Sequence, residues 1–323
     1  MARRLTHAVF FPVIVTVTLN PTLDKTLSVA RLQAGAVHRA RFIRQDLGGK
    51  GINVSRALGA LGVSSRIVAF LGGSIGRTMQ AGLLAEGFDV TCIEVEGETR
   101  QNLTLLDEAT GLYTKINEPG PMVHPQQVAM LRERVASTVR PGDIWVFSGS
   151  LPPGAPDDLY AGLIRSVQDA GGRAFLDTSG PALRAGLQAR PYAIKPNSEE
   201  AAEVLERPVQ SDEEHSAAAR LLRQAGCYTV CLSRGARGLF LAAGTELVRA
   251  EPPPVQARSP VGAGDAALAG LVWAAVDGCD AVEMARRAAA CGTAAAMQEG
   301  TGMGALPLIQ ELMGQTQITR LLP

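Results

Sequence analysis

Two apolar runs in the middle of this chain, Ile144-Trp-Val-Phe147 and Ala174-Phe-Leu176, contain no polar residue at alternate positions. A strand with one wet face alternates apolar and polar, so strands this uniform are covered on both faces. A parallel sheet between helices supplies that cover, and the surrounding pattern fits one. Strand-like segments 13–20, 65–71, 143–148, 173–177, 192–195 and 228–233 alternate with helix-like segments 52–61, 75–86, 125–140 and 157–170. Alternation at this spacing implies right-handed crossovers. The expected fold class is α/β, built on a mainly parallel sheet.

Composition narrows what such a fold does. Hydrophobic residues make up 46% of the 323 residues and charged residues 19%, which is core-building material. The 31 basic and 31 acidic side chains cancel. Nucleic-acid binders carry a basic excess, so no nucleic-acid partner is expected. The five cysteines form no Cys-x-x-Cys pair and the four histidines are scattered, which argues against zinc. An odd number of thiols suits a reducing cytosol. In Cys227-Tyr-Thr-Val-Cys231, a period of two places both thiols on one face of a strand. The start of the chain superficially resembles a signal peptide, but no small-residue cleavage site follows. Segment 266–276 is apolar yet too short to cross about 30 Å of hydrocarbon. A cytoplasmic protein with no membrane partner is the expectation. Residues 1–12 read as an N-terminal extension, 13–314 as one domain and 315–323 as a C-terminal tail.

Two stretches, about 24–46 and 89–118, break the rhythm. They read as successive short strands without helices between them, for example Asn102-Leu-Thr-Leu-Leu106 and Tyr113-Thr-Lys-Ile116. Either these are ordinary surface hairpins or they form a small separate sheet, a lid or a dimer surface. Ribbon-like lids exclude water from sites where hydrolysis competes.

Chemistry concentrates in glycine-rich turns. In Ser259-Pro-Val-Gly-Ala-Gly-Asp265, two glycines free the backbone to aim N–H groups at one point, and the following helix directs its positive end there. That geometry suits a phosphate. Asp265 reads as a plain N-cap or as a general base beside the bound phosphate. Gly262, Gly264 and Ala267 also fit a loose dinucleotide fingerprint, but the preceding residues are proline-rich rather than a strand. Leu47-Gly-Gly-Lys-Gly-Ile-Asn53 opens a helix; its glycines admit a ligand to the backbone, and Asn53 offers donor and acceptor to hydroxyls. A tight turn explains it equally well. Arg100, in Thr99-Arg-Gln-Asn102, is either a solvated residue or a bidentate phosphate partner. Asn197 and Glu200, in Lys195-Pro-Asn-Ser-Glu-Glu200, follow a strand and either cap a helix or face a metal-bound water. Ser233-Arg-Gly-Ala-Arg-Gly238 is either a nucleotide loop or a hairpin connection.

In this order the motifs resemble the PfkB (ribokinase-like) carbohydrate kinases, in their ketose-phosphate branch. The resemblance runs from Asn20-Pro-Thr-Leu-Asp24 through Ser148-Gly-Ser-Leu-Pro-Pro-Gly154 and Asp177-Thr-Ser-Gly180 to Gln298-Glu-Gly-Thr301. It implies a three-layer sandwich with a small β-sheet lid that mediates homodimers, and ATP with magnesium as phosphoryl donor. It implies Asp265 as base, with Gly262, Ala263 and Gly264 as the anion hole. Asp24, Gly48, Gly49, Lys50, Asn53, Asn102 and Ser150 match sugar-holding positions. Arg100 and Arg39 match the clamp on a phosphate already carried by the sugar. Asn197 and Glu200 match the magnesium element, and Lys195, Asn197, Ser233, Gly235 and Gly238 the ATP site. Fructose 6-phosphate is the first expected acceptor; fructose 1-phosphate or tagatose 6-phosphate is the alternative. An unphosphorylated sugar or nucleoside, or a non-catalytic sugar-phosphate sensor, is more remote. Pro260 departs from the family, which often has Thr before the anion hole.

Overall fold

The computed structural model describes residues 12–321; residues 1–11, nearly all of the expected extension, lie outside the described residues. The chain opens with β1 (Ile14–Thr18), β2 (Thr22–Val29), β3 (Arg41–Gly48) and α1 (Lys50–Ala60). It continues through β4 (Arg66–Leu71), α2 (Gly73–Ala85), β5 (Asp89–Glu94), β6 (Arg100–Asp107), β7 (Tyr113–Asn117) and α3 (Pro125–Thr138). Strand–helix alternation then runs β8 (Ile144–Ser148), α4 (Leu159–Asp169), β9 (Arg173–Asp177), α5 (Gly180–Leu187), β10 (Ala193–Ile194) and α6 (Ser198–Leu205). The last third holds α7 (Asp212–Gln224), β11 (Thr229–Ser233), β12 (Leu239–Ala243) and β13 (Glu246–Glu251). It ends with α8 (Ala263–Val276), α9 (Ala281–Ala296), α10 (Leu306–Gln315) and β14 (Gln317–Leu321).

A ten-stranded sheet ordered 14-13-12-11-10-9-8-1-4-5 forms the centre. From β11 to β5 every pairing is parallel; β12, β13 and β14 add antiparallel at one edge. The uniformly apolar strands behave as their composition requires. Trp145 and Phe147 of β8 face one helical layer, with Leu131, Tyr160 and Ile164, while Ile144 and Val146 face the other, with Leu268, Leu271 and Ala288. All of these side chains are buried. The sandwich has three layers because both faces of the sheet are apolar and each needs its own helices.

Helices α8 and α9 pack closely because their contact is made of small residues. A Cβ at Gly270 of α8 would meet the Arg287 carbonyl of α9 at 2.6 Å. Alanines dominate both helices, and α8 is buried almost all round.

The second sheet has four strands, ordered 3-2-6-7. The lid was expected from about 24–46 and 89–118, and two boundaries move. β5 belongs to the large sheet, paired in parallel with β4, and only β6 and β7 of the second stretch join the small one. β5 is a half-buried edge strand, so its alternation looks like that of a hairpin strand. The expected C-terminal tail, 315–323, contains β14, which pairs with β13; Ile318 packs against the core. The two thiols expected on one face also part: Cys227 packs in one core layer and Cys231 in the other. The strand begins only at Thr229, after a bend at Tyr228, so the period of two does not reach back to Cys227.

Gly270→Val should lower unfolding free energy by about 2–3 kcal/mol, since overpacked backbone contacts cannot relax locally. Urea denaturation would show a lower midpoint with an unchanged slope.

Candidate active site

The motifs gather at one edge, the carboxyl ends of the parallel strands. Asn20 follows β1, Ser150 follows β8, Asp177 ends β9, Lys195 follows β10 and Ser233 ends β11. Ligands of open parallel sheets bind at this edge because loops and helix N-termini converge there.

Asp177 sits at the centre. Its side chain is fully buried, with Oδ2 3.3 Å from Lys50 Nζ and Oδ1 3.3 Å from Lys195 Nζ. Burial acts to raise its pKa, but the Lys195 and Lys50 ammonium groups outweigh burial and hold it below the usual carboxylate range. For Lys50, burial would depress the pKa; Asp177 first, then Asp265 and Glu200, raise it instead. The site therefore keeps Lys50 charged.

Asp265 stands at the third residue of α8, behind an N-cap formed by Gly262 at φ +81°. It is not the cap: no side chain caps this helix. Its carboxylate instead accepts a 2.8 Å hydrogen bond from Asn53 Nδ2 of α1. Burial, helped by the negative charge of Asp177, pushes Asp265 up to about 6 against the pull of Lys50, Asn53 and Lys195. A buried acid with that pKa is mostly ionised at neutral pH, yet basic enough to accept a proton. The first-turn Gly264 N–H has no partner inside the helix and the Ala263 N–H makes only a long 3.4 Å bond to the Pro260 carbonyl; the positive helix end adds to their pull on an anion. Lys195 Nζ lies beside them, 3.3 Å from where a Cβ at Gly264 would stand.

The lid supplies the opposite wall. Side chains at alternate strand positions share a face. Thr22, Asp24 and Thr26 of β2 thus line up with Arg100, Asn102 and Thr104 of β6 and with Gly48, Asp46 and Arg44 of β3. Asp24 accepts from Asn102 Nδ2 at 2.9 Å and from Thr22 Oγ1 at 3.3 Å. Burial raises its pKa, the Asn102 and Thr22 hydrogen bonds resist, and Asp46 adds to the rise. A Cβ at Gly48 would collide with the Asp24 carboxylate, so glycine there is a packing requirement. Gly49, at φ +142°, turns the chain from β3 into α1 and places Lys50 and Asn53 toward Asp177 and Asp265. The buried side-chain oxygens of Asn20, Asn53 and Asn102 have no protein partner. Unmet acceptors around one cleft fit a ligand rich in hydroxyl groups.

The remaining expected residues divide. Asn197 and Glu200 form a capping box: Asn197 Oδ1 accepts from the Glu200 N–H at 2.8 Å, and Glu200 Oε2 from the Asn197 N–H at 2.9 Å. The charge of Glu200 still reaches Lys50. Ser233, Gly235 and Gly238 lie in the connection between antiparallel β11 and β12, where the Ser233 N–H bonds to the Pro196 carbonyl beside Asn197 at 3.0 Å. Arg100 spends three donors on main-chain carbonyls, those of Asn20 (2.9 Å), Glu118 (3.1 Å) and Pro21 (3.4 Å). It clips the lid to the end of β1. Arg39 is exposed on the loop between β2 and β3, and no hydrogen bond or ion pair joins it to the described cluster. Asp177 was legible only as part of a motif and not as a site residue. The signal was there: an acid closing an apolar strand, Phe175-Leu-Asp177, at the sheet's carboxyl edge.

A buried acid at the N-terminal turn of a helix, two lysines paired with Asp177, and a lid face carrying Asp24 and Asn102 fit a phosphotransferase that uses an alcohol acceptor. Residues 17–307 match the profile described as pfkB family carbohydrate kinase, and the chain belongs to that family. It is 37% identical over 290 residues to a 1-phosphofructokinase of Xanthomonas campestris pv. campestris, covering 88% of this chain and 91% of that one. A 1-phosphofructokinase of Rhodobacter capsulatus is 38% identical, with 86% and 88% covered. The ATP-dependent 6-phosphofructokinase isozyme 2 of Escherichia coli is 32% identical, with 89% and 94% covered. A solved structure of Escherichia coli phosphofructokinase-2 in complex with potassium superposes with TM-score 0.89 at 30% identity, covering 94% and 98%.

Asp177→Asn should cost about 3 kcal/mol of stability, because it strands the buried Lys195 ammonium; the part-exposed Lys50 is left to solvent and adds little. It should also lower the Asp265 pKa, since a neighbouring negative charge is removed and the two lysines are released from it. Thermal unfolding and the acid limb of the pH–rate profile read these two effects separately.

Proposed function

We propose that the chain transfers the terminal phosphoryl group of ATP to a fructose phosphate, with fructose 1-phosphate as acceptor and fructose 1,6-bisphosphate as product. The observation that carries the reading is the Asn53–Asp265 hydrogen bond, which ties the candidate base to the helix facing the sugar-binding lid. Support for fructose 1-phosphate comes from the relatives named 1-phosphofructokinase at 37% and 38% identity. Fructose 6-phosphate, expected first from the motifs, becomes the second reading, backed by the Escherichia coli isozyme.

Asp24, Asn102 and Ser150 hold the sugar hydroxyls, and Gly48 and Gly49 let the sugar lie against the backbone. Asp265 takes the proton of the attacking hydroxyl, and the N–H groups of Gly262, Ala263 and Gly264 stabilise charge on the migrating phosphoryl group. Lys50 and Lys195 offset the charge of the polyphosphate, with Lys195, Asn197, Ser233, Gly235 and Gly238 along the nucleotide. Arg100 and the exposed Arg39 remain the clamp on the sugar's own phosphate; Arg100 keeps two guanidinium protons beyond its carbonyl bonds. Asn197 and Glu200 offer oxygens that suit a hard cation, since one Glu200 oxygen lies outside the capping box. Magnesium bound there would neutralise phosphate charge.

The acceptor-side wall also favours a homodimer. On the lid face opposite Asp24, Leu27, Leu103, Leu105 and Ile116 alternate outward, and Phe42 and Ile116 are more than half exposed. A patch of that kind marks an interface. Ile116→Asp should shift sedimentation from dimer to monomer; a wild type that already sediments as a monomer excludes the lid interface.

ADP release measured across fructose 1-phosphate, fructose 6-phosphate, tagatose 6-phosphate and fructose tests the acceptor; highest kcat/KM with fructose 1-phosphate is the expected result. Asp265→Asn should reduce kcat by about 10²–10⁴ with little change in either KM. Because the carboxyl is pushed up to about 6, wild-type kcat/KM should fall as pH drops through that value, and the variant should lose this limb.

A further inference from the structure

One cation of the lid leaves its own sheet and touches the opposite side of the cleft. Arg44 lies on the same lid face as Asp24, opposite Thr26, and its Nε is 2.9 Å from Asp46 Oδ2. Asp46 is in turn the cross-strand neighbour of Asp24. Past that ion pair, the guanidinium reaches the loop after α9. A Cβ at Gly300 would collide with Nη1, Nη2 and Cζ of Arg44. The flat end of the side chain thus rests on a residue with no side chain, held at φ +63°.

The same loop supports the anion-binding turn. A Cβ at Gly262 would stand 3.7 Å from Thr301 Cα and 3.6 Å from the Met303 methyl. A line of neighbours therefore runs from Asp24 through Asp46 and Arg44 to Gly300, in the loop that also lies beside the N-cap of α8. No hydrogen bond to a described residue holds the terminal nitrogens of Arg44, in contrast to those of Arg100. A close contact without hydrogen bonds opens easily, which suits a lid that must release product. Guanidinium is planar and weakly hydrated, so it can lie against bare backbone where an ammonium would stay in water.

We propose that Arg44 is a positioning residue for phosphoryl transfer. Seated on Gly300, it closes the lid against the loop that buttresses the α8 turn and keeps water from the phosphoryl group while the sugar hydroxyl attacks. The inference rests on the kinase reading above.

The test compares wild type, Arg44→Ala, Arg44→Lys, Gly300→Ala and the Arg44→Ala/Gly300→Ala double variant. ADP release and phosphorylated sugar are both quantified with fructose 1-phosphate and fructose 6-phosphate, and ADP release also without sugar. Arg44→Ala should lower sugar phosphorylation by about tenfold, leave the KM for ATP unchanged and raise the share of ADP formed by hydrolysis. Gly300→Ala, which displaces the guanidinium, should reproduce the uncoupling, Arg44→Lys should recover little of it, and the double variant's loss should be smaller than the product of the single losses. An unchanged hydrolysis share in Arg44→Ala, or losses that multiply in the double variant, overturns the assignment. Wild-type phosphorylation of either sugar phosphate separates that failure from failure of the kinase reading itself.

Discussion

One buried carboxylate holds the site together. Asp177 lies between two ammonium groups that arrive from different elements, Lys50 at the start of α1 and Lys195 after β10. Burying Asp177 and Lys195 is tolerable only because each lies beside an opposite charge, with the part-exposed Lys50 as a second partner for the acid; an isolated buried ion costs several kcal/mol. The arrangement therefore locks β9, β10 and α1 in one register. With Asp265 added, two acids face two lysines, so the cleft floor is balanced until a polyphosphate enters. Both lysines then stand ready without having been repelled by each other.

The second constraint is the burial of α8. A helix this apolar packs into the centre of its layer, and that places its N-terminus at the sheet edge with Asp265 as its only ionisable side chain. Its amide groups need an anion or water, and its one acid needs a donor; Asn53 supplies the donor from α1. The lid completes the cleft by presenting Asp24 and Asn102 on one face and an apolar patch on the other. The alternation that builds a strand thus gives the lid one polar face toward the cleft and one apolar face away from it.

Much of this was readable in the chain. Uniform apolar strands announce a doubly covered sheet, and Val-Gly-Ala-Gly-Asp announces an anion site with an acid beside it. Where two readings competed, three-dimensional neighbours decided. Asp265 reads locally as a cap, yet Gly262 takes that position and the carboxylate turns to Asn53. Asn197 and Glu200 do cap a helix, and Glu200 also acts on Lys50. The edge strands β5 and β14 were misplaced because a half-buried edge strand carries the same pattern as a hairpin strand or a loose end. Arg100 carried no sign of its three carbonyl partners, since those come from segments some twenty and eighty residues away in the chain.

The family came from the resemblance of the ordered motifs. Local composition and spacing were enough for the class of fold and for the turn suited to an anion, because periodicity and glycine-rich turns are properties of adjacent residues. Charge pairing is not. That Asp177 joins Lys50 to Lys195, that Asp265 is pushed up to about 6, and that Arg44 meets Gly300 follow from packing distant segments into a medium of low dielectric, where separation and burial set the energies.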